Sequence, residues 1–572
     1  MTDGLDCNVL VIWATYGGLL HRQSTIFPMD NSRRRFLGVA GGIAGACVFV
    51  DAWRVAQAMD MPMKQRMAMP ALAAPNVPLV NPVTMARFVD ALPVPPIAVP
   101  TGKRAHAAFG GRQLPFYRMP MRAFSARVHR DLPPTPQWGY AGSTPGPTIV
   151  TRRGEPVLVE WANELPTRHF LPIDHGIHGA EKSKPDVRTI THVHGARVSA
   201  PNDGWPEDWY VPGKSLTALY PGDQDATTLW YHDHAMGITR LNIYAGLFGS
   251  FHVHDDDEEA LGLPSGEFDI PLMLYDRLLA KSGKLYYPVS DDPEAPWVSE
   301  CRGDAVLCNG KLYPYLEVEP RRYRLRLINA ANTSFFNLTL SHGKPFQQIG
   351  SDQGLLSAPI DRLSIELYPA ERAEVIIDFS AYAGQSVQLR HQADGIVEFR
   401  VRAKGRRDTS VVPAALRPVQ RIDPSTAVQD RVLALGEQDD SGGNPMTMLL
   451  DGKMWSDPIS EKPKKGTVET WTFVNVTGDA HPIHLHLVRF QVVERRPFDL
   501  YAWNARKELK FTGPAIPPAE HEAGWKDTVR CDPGMVTRII TRFDGVPGKY
   551  VWHCHYLEHE DNEMMRPYEL VG

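Results

Sequence analysis

The sequence predicts an all-β protein built from three related β-sandwich domains, and two observations carry that prediction. Proline (49) and glycine (46) are plentiful in the 572 residues, which favours short strands and tight turns over long helices. Three strand-like segments of one kind also recur, Val157 to Asn163, Tyr323 to Asn329 and Val468 to Asn475, each closing on asparagine. Each marks the same place in one of three repeats. Length alone asks for about three or four domains.

Taken in order, residues 1–58 read as an export signal region. Asn31-Ser32-Arg33-Arg34-Arg35-Phe36-Leu37 resembles a twin-arginine signal, and the apolar run from Leu37 to Val50 is short for a membrane span but suits a signal. Ala56-Gln57-Ala58 offers a small-x-small cleavage site, and Met29 is a candidate true start. Residues 59–105 form a tether rich in Met, Pro and Ala. Thioethers are soft Cu(I) ligands, but a disordered mature N-terminus is the preferred reading of the Met59–Met69 run. Residues 106–256, 257–405 and 431–572 are the three sandwich domains, with a linker at 406–430. The boundaries are set by the acidic run Asp255 to Glu259 and the Arg- and Pro-rich segment Lys404 to Pro424.

The net charge of -5 is mild and no basic stripe is present, which argues against a nucleic-acid partner. Hydrophobic content of 43% supports sizeable cores. Six cysteines are too few for a disulfide scaffold. Histidine is the informative residue, because it recurs in short clusters.

The stretch Gly548 to Pro567 organises the rest. Lys549 to Trp552 reads as a strand. If it continues, His553 and His555 face one way and Cys554 the other, so one strand feeds two metal sites. His559 follows the cysteine by five residues and Met564 by ten. Cys, His and a thioether, completed by a histidine from elsewhere, are the ligands of a blue-copper centre. His192-Val193-His194, His232-Asp233-His234 and His481-Pro482-Ile483-His484-Leu485-His486 supply further pairs. A His-x-His pair on a strand presents both rings on one face. Eight imidazoles suit three metal ions held between the outer domains, and His481 is left for the blue site. Pro482 is expected to break strand pairing and turn His481 away from His484 and His486. His252-Val253-His254, beside the acidic run, is read as a solvated strand end.

The clusters, in this order, resemble those of multicopper oxidases. The segments LWYHDHAMGITRLNIYAGLFG, HPIHLHLVRFQVVERRPFD and YVWHCHYLEHEDNEMMRP look most like the bacterial spore-coat laccase and bilirubin oxidase branch. That resemblance covers roughly residues 110–572. It implies cupredoxin-like Greek-key sandwiches and four copper ions: one type 1, one type 2 and two type 3. By the same resemblance His192 and His484 are type 2 ligands. His194, His232, His234, His486, His553 and His555 are type 3 ligands, and His481, Cys554, His559 and Met564 form the type 1 site.

The implied activity is one-electron oxidation of a small reducing substrate, such as a phenol, aromatic amine or bilirubin-like tetrapyrrole, coupled to four-electron reduction of O2 to water. Electrons are expected to enter through an exposed edge of His481 or His559 and to pass through Cys554 to His553 and His555. Asp203 and Glu560 match acidic residues that supply protons in the spore-coat laccases. Cys301 matches a disulfide cysteine of that branch, with no partner near Gln392 to Ile396, and at most one bridge is expected among Cys301, Cys308 and Cys531. A metallo-oxidase acting on Cu(I) or Mn(II) and a copper-free structural relative are the alternatives. The Pro- and aromatic-rich Arg495 to Trp525 segment favours organic substrates over the first, and the complete ligand set disfavours the second. A periplasmic or extracellular monomer without stable membrane association after cleavage is expected.

Overall fold

The computed structural model describes residues 72–292, 295–438 and 447–572, which belong to one compact unit. The twin-arginine segment, the cleavage site and the Met59–Met69 run lie outside the described residues.

The three asparagine-closed strands occupy equivalent places. Each runs parallel to an earlier strand and antiparallel to a later one. Val157–Asn163 lies between Arg112–Ala126 and Ser215–Tyr220. Arg322–Asn329 lies between Asp269–Leu279 and Arg372–Asp378, and Val468–Asn475 between Ala427–Gln438 and Met535–Arg542. The asparagine recurs for a physical reason. Its Oδ1 accepts the main-chain N–H two residues on, from Leu165 (3.1 Å), Ala331 (2.9 Å) and Thr477 (2.9 Å). This closes an Asx turn where each strand leaves its sheet. Its Nδ2 donates to carbonyls of crossing loops, including those of Tyr210, Leu367 and Cys531.

Facing sheets complete the outer regions. Gly146–Arg152, Phe248–His254, Thr227–Asp233 and Thr191–His194 form one, and Thr528–Cys531, His481–Leu485, Gly548–Cys554 and Met565–Leu570 form the other. A single apolar core joins them, running from Trp161 and Tyr231 to Trp471, Trp552 and Tyr568. The middle region builds its own core around Leu272, Leu325, Phe379 and Phe399. The shared core is what brings the first and last histidine-bearing sheets together.

The segment from Leu72 to Thr101 packs on the body of the protein. It makes isolated bridges to Ser290, Ala280, Tyr315 and Thr148, and it buries Val80 and Leu92. Arg87 pins it by donating to Asp394 (3.0 Å) and the Gly395 carbonyl (2.8 Å). It therefore straps the middle region and then crosses to the first.

Two expectations are corrected. His252 is buried, with Nε2 2.7 Å from Ser250 Oγ, and His254 Nδ1 lies 2.7 Å from Glu258, so this pair is not a solvated strand end. The neighbouring acidic run forms the Asp256–Glu259 helix, which buries Glu258 against Arg324 and leaves Asp256, Asp257 and Glu259 exposed. Pro482 does not break pairing either: His481–Leu485 runs straight through it, with Pro482 opposite Arg530. No bridge forms, because Cys301, Cys308, Cys531 and Cys554 are all free and buried. Among the described residues no helix is long and apolar enough to cross a membrane.

Candidate metal centre

Strand register decides which residues meet. On the first sheet His192 stands opposite His232 and His194 opposite Trp230, so His192, His194, His232 and His234 share one face. On the last sheet His484 stands opposite His553, and Ile483 opposite Cys554. His484 and His553 therefore occupy one face, and His481 and Cys554 the other. Simple alternation along the strand, not a break at Pro482, separates His481 from His484 and His486.

The eight imidazoles interlock as two triads and a bridging pair. His194, His232 and His555 bring their ligand atoms within 4.8 Å of one another, and so do His234, His486 and His553. His192 and His484 join His194 in a third group of the same tightness. Rings from opposite ends of the chain stack: His192 on His486 at 3.8 Å and His194 on His484 at 3.6 Å between centroids. All eight are buried. Burial, with mutual repulsion second for most of them, holds His194, His232, His234, His484, His486 and His555 well below the usual histidine range. They are neutral, as metal ligands must be.

On several rings one nitrogen is engaged and the other is free. His192 Nδ1 donates to the Asp203 carbonyl (2.6 Å), His232 Nδ1 to that of Asp233 (2.8 Å) and His484 Nδ1 to that of Asp527 (2.7 Å). Their Nε2 atoms have no hydrogen-bond partner, nor do His194 Nδ1 and either nitrogen of His234 and His555. Each unpaired buried nitrogen would cost about 1–3 kcal/mol, and so many around one point make sense as lone pairs directed at cations. The donor set fits copper.

A second group lies on the opposite face. His481 Nδ1 is 3.5 Å and His559 Nδ1 3.9 Å from Cys554 Sγ, and the two nitrogens are 3.2 Å apart. The Tyr556 N–H points at the sulfur at 3.4 Å. Met564 packs in the same core as Cys554, and the Cys554 N–H donates to the Met564 carbonyl at 3.0 Å. Met565, opposite His553, packs instead with Met236, Trp455 and Val551.

The expected exposed edge is absent. His481 and His559 are both fully buried. Thr477 Oγ1 covers His481 Nε2 at 2.7 Å. Over the short Leu557–Asp561 helix that carries His559, Trp297 Nε1 donates to the Glu558 carbonyl, while the Glu558 carboxylate accepts from Tyr287, Asn332 and Thr333.

Both expected carboxylates sit against the cluster. Glu560 lies between His234 Nδ1 (3.3 Å) and His553 Nδ1 (3.1 Å), and both of its oxygens are buried without a hydrogen-bond partner. Asp203 Oδ2 accepts from His486 Nδ1 at 2.8 Å. Of the histidines without an assigned ligand role, His178 pairs with Glu563 at 3.2 Å and His169 packs edge-on against Trp138.

Sequence reasoning missed Asp527. Fully buried, it touches His194 with its side chain and His484 with its carbonyl. It sits in Lys526-Asp527-Thr528, with no histidine neighbour, and its partner Arg372 is 155 residues earlier, so no local signal marks it.

Models of multicopper oxidase domains match residues 182–258 and 421–570. The laccase of Bacillus stratosphericus is 44% identical over 518 residues, spanning 86% of this chain and all of that protein. The chain belongs to the multicopper oxidase family. The laccase of Bacillus subtilis is 43% identical over 86% of the chain and 99% of its own length. The solved laccase of Pediococcus acidilactici superposes with a TM-score of 0.69 at 27% identity, covering 88% of this chain and all of that one. The multicopper oxidase fold is thus the cupredoxin-like β-sandwich assembly expected from the sequence. This multicopper oxidase is a copper-dependent oxidoreductase of the laccase type, with O2 as acceptor.

Proposed function

We propose that this oxidase takes single electrons from phenols, aromatic amines or bilirubin-like tetrapyrroles and holds four coppers: one type 1, one type 2 and two type 3. The interlocking of two three-histidine groups, each drawn from both the first and last sheets, carries this reading. In it, His194, His232 and His555 hold one type 3 ion and His234, His486 and His553 the other. His192 and His484 hold the type 2 ion. Cys554, His481, His559 and Met564 hold the type 1 ion. When bound, copper supplies the redox chemistry that passes four electrons to O2.

The chain's own residues do the rest. The peptide joining Cys554 to His553 links the two faces of one strand, giving the shortest covalent path between the two groups. Glu560, against two imidazoles, holds protons at the face where oxygen is reduced. Asp203 fixes the His486 ring by accepting from its Nδ1. Because His481 and His559 are buried, with Thr477 over the His481 ring, a substrate docks on the Thr477 side and never touches the rings themselves. That favours planar, delocalised donors that lose an electron at contact distance.

The three sandwiches are assigned to residues 106–256, 257–405 and 431–572. A monomer exported through the Arg33-Arg34 signal to the periplasm or beyond completes the proposal. Its test is copper analysis of the loaded protein, followed by anaerobic bleaching of the blue band with phenols, aminophenols, bilirubin, Cu(I) and Mn(II). Four coppers per chain and fast bleaching by the organic donors are expected. Fast bleaching by Cu(I) or Mn(II) alone would overturn the substrate class.

A further inference from the structure

The middle region contributes no histidine to the cluster, yet one of its arginines reaches it. Arg372, fully buried, has five N–H donors, and all five are taken. Nε donates to the Thr228 carbonyl (3.0 Å). One terminal nitrogen donates to the Ala370 carbonyl (3.1 Å) and Asp527 Oδ1 (2.6 Å). The other donates to the Asp352 carbonyl and Asp527 Oδ2, both at 2.6 Å. Thr228 lies on the strand that carries His232. The guanidinium therefore ties that strand to Asp527 in a fixed fork that a lysine ammonium cannot copy.

Asp527 passes this order on. Its Oδ1 accepts from His194 Nε2 (3.1 Å) and Thr528 Oγ1 (3.0 Å), and its Oδ2 from Gln353 Nε2 (2.6 Å). Its carbonyl accepts from His484 Nδ1. The two rings it touches stack at 17°, and they use opposite nitrogens. His194 gives up Nε2 and keeps Nδ1 free, while His484 gives up Nδ1 and keeps Nε2 free. Neighbouring Gly195, at φ 84°, leaves the space the carboxylate needs, since a Cβ there would collide with Asp527 and Gln353. Behind Gln353 lies a cavity of about 500 Å³, lined also by Gly195, Gln224, Leu487 and Trp525.

We propose that Asp527, clamped by Arg372, is a positioning residue that selects the metal-facing nitrogen of His194 through its carboxylate and of His484 through its carbonyl, so that the ligand-free middle region orients one type 3 ligand and one type 2 ligand. The inference rests on the copper assignment above. Removing a partner of this kind typically costs 10–100-fold in metal affinity or activity.

The experiment compares copper-loaded Arg372→Lys, Asp527→Asn and the milder Gln353→Leu with the wild type. It reads the type 2 electron paramagnetic resonance signal, the copper content and the blue absorption. In Arg372→Lys, which frees the whole Asp527 segment, the type 2 hyperfine coupling is expected to change and type 2 copper to bind 10–100-fold more weakly. Asp527→Asn, which leaves the carbonyl on His484 in place, should instead weaken copper binding at His194 by 10–100-fold, with the blue band kept in both. Gln353→Leu, which removes one of the contacts on Asp527, should shift the same signal less. If Arg372→Lys does not fold, Asp527→Asn and Gln353→Leu decide together. Unchanged type 2 spectra and copper content in Gln353→Leu, together with unchanged values in whichever of the other two folds, would overturn the role. A wild-type protein that binds no type 2 copper would overturn the ligand assignment itself.

Discussion

His553 and Cys554 are adjacent in the chain and lie on opposite faces of one strand, His553 opposite His484 and Cys554 opposite Ile483. One peptide bond thus separates the histidine cluster from the cysteine group. Replacing the thiol removes the blue chromophore without touching the other face. Cys554→Ser is expected to abolish the blue absorption and oxidase turnover while at least most of the copper at the eight-histidine cluster remains. Metal analysis beside the absorption spectrum checks it, and a blue Ser variant would remove Cys554 from the site.

Glu560 separates proton supply from electron supply. Glu560→Gln keeps size and hydrogen bonding but carries no proton at ordinary pH. Anaerobic bleaching by substrate should stay near the wild-type rate, and reoxidation by O2 should slow by about 10²–10⁴-fold. Stopped-flow traces of the two half-reactions decide. Slow bleaching with normal reoxidation would place Glu560 on the substrate side.

Met564 is the thioether that would help hold the type 1 ion and would tune its potential. Met564→Leu removes a donor that favours Cu(II), so the type 1 potential should rise. A redox titration that gives an unchanged or lower value counts against Met564 as a ligand.

Glu522 offers a pH prediction far from the copper. It is buried, and Arg495, which grips both of its oxygens at 2.7 and 2.6 Å, outweighs burial and holds the carboxyl down at about 2. A depressed folded value means stability present above the ordinary carboxylate range and lost as pH falls through about 2. The gap from 4.5 corresponds to roughly 3 kcal/mol. Glu522→Gln should lose about that much at pH 7 and show a flatter acid limb in denaturant unfolding. A variant with the wild-type acid limb would show that another group is responsible.

Much of this was legible in the sequence. Spacing alone separated His553 from Cys554, because strand alternation is strict, and the recurring Asn163, Asn329 and Asn475 marked three equivalent turns before any contact was known. What stayed hidden depends on long-range packing. The cover over His481 includes Thr477, whose hydroxyl bonds both Asn475 in its turn and the His481 ring. The burial of Glu258 within the acidic run is matched by Arg324, 66 residues away. Asp527 gains its place from Arg372, which lies in another sheet. The position of Pro482 was read as a disruption, although His481 and His484 were already on opposite faces by parity.

The interlocked histidines also have a consequence in time. His192 and His484 stand 292 residues apart; at about 5–20 residues per second, ribosomes need roughly 15–60 s to cover that distance. Throughout that interval the first sheet presents a half-built ring of imidazoles to whatever divalent ions surround the nascent chain. A newborn molecule of this oxidase is therefore exposed to capture by the wrong metal before its own site exists. Producing it in a zinc-rich medium should yield more colourless, mismetallated protein than loading the finished apoprotein with copper afterwards.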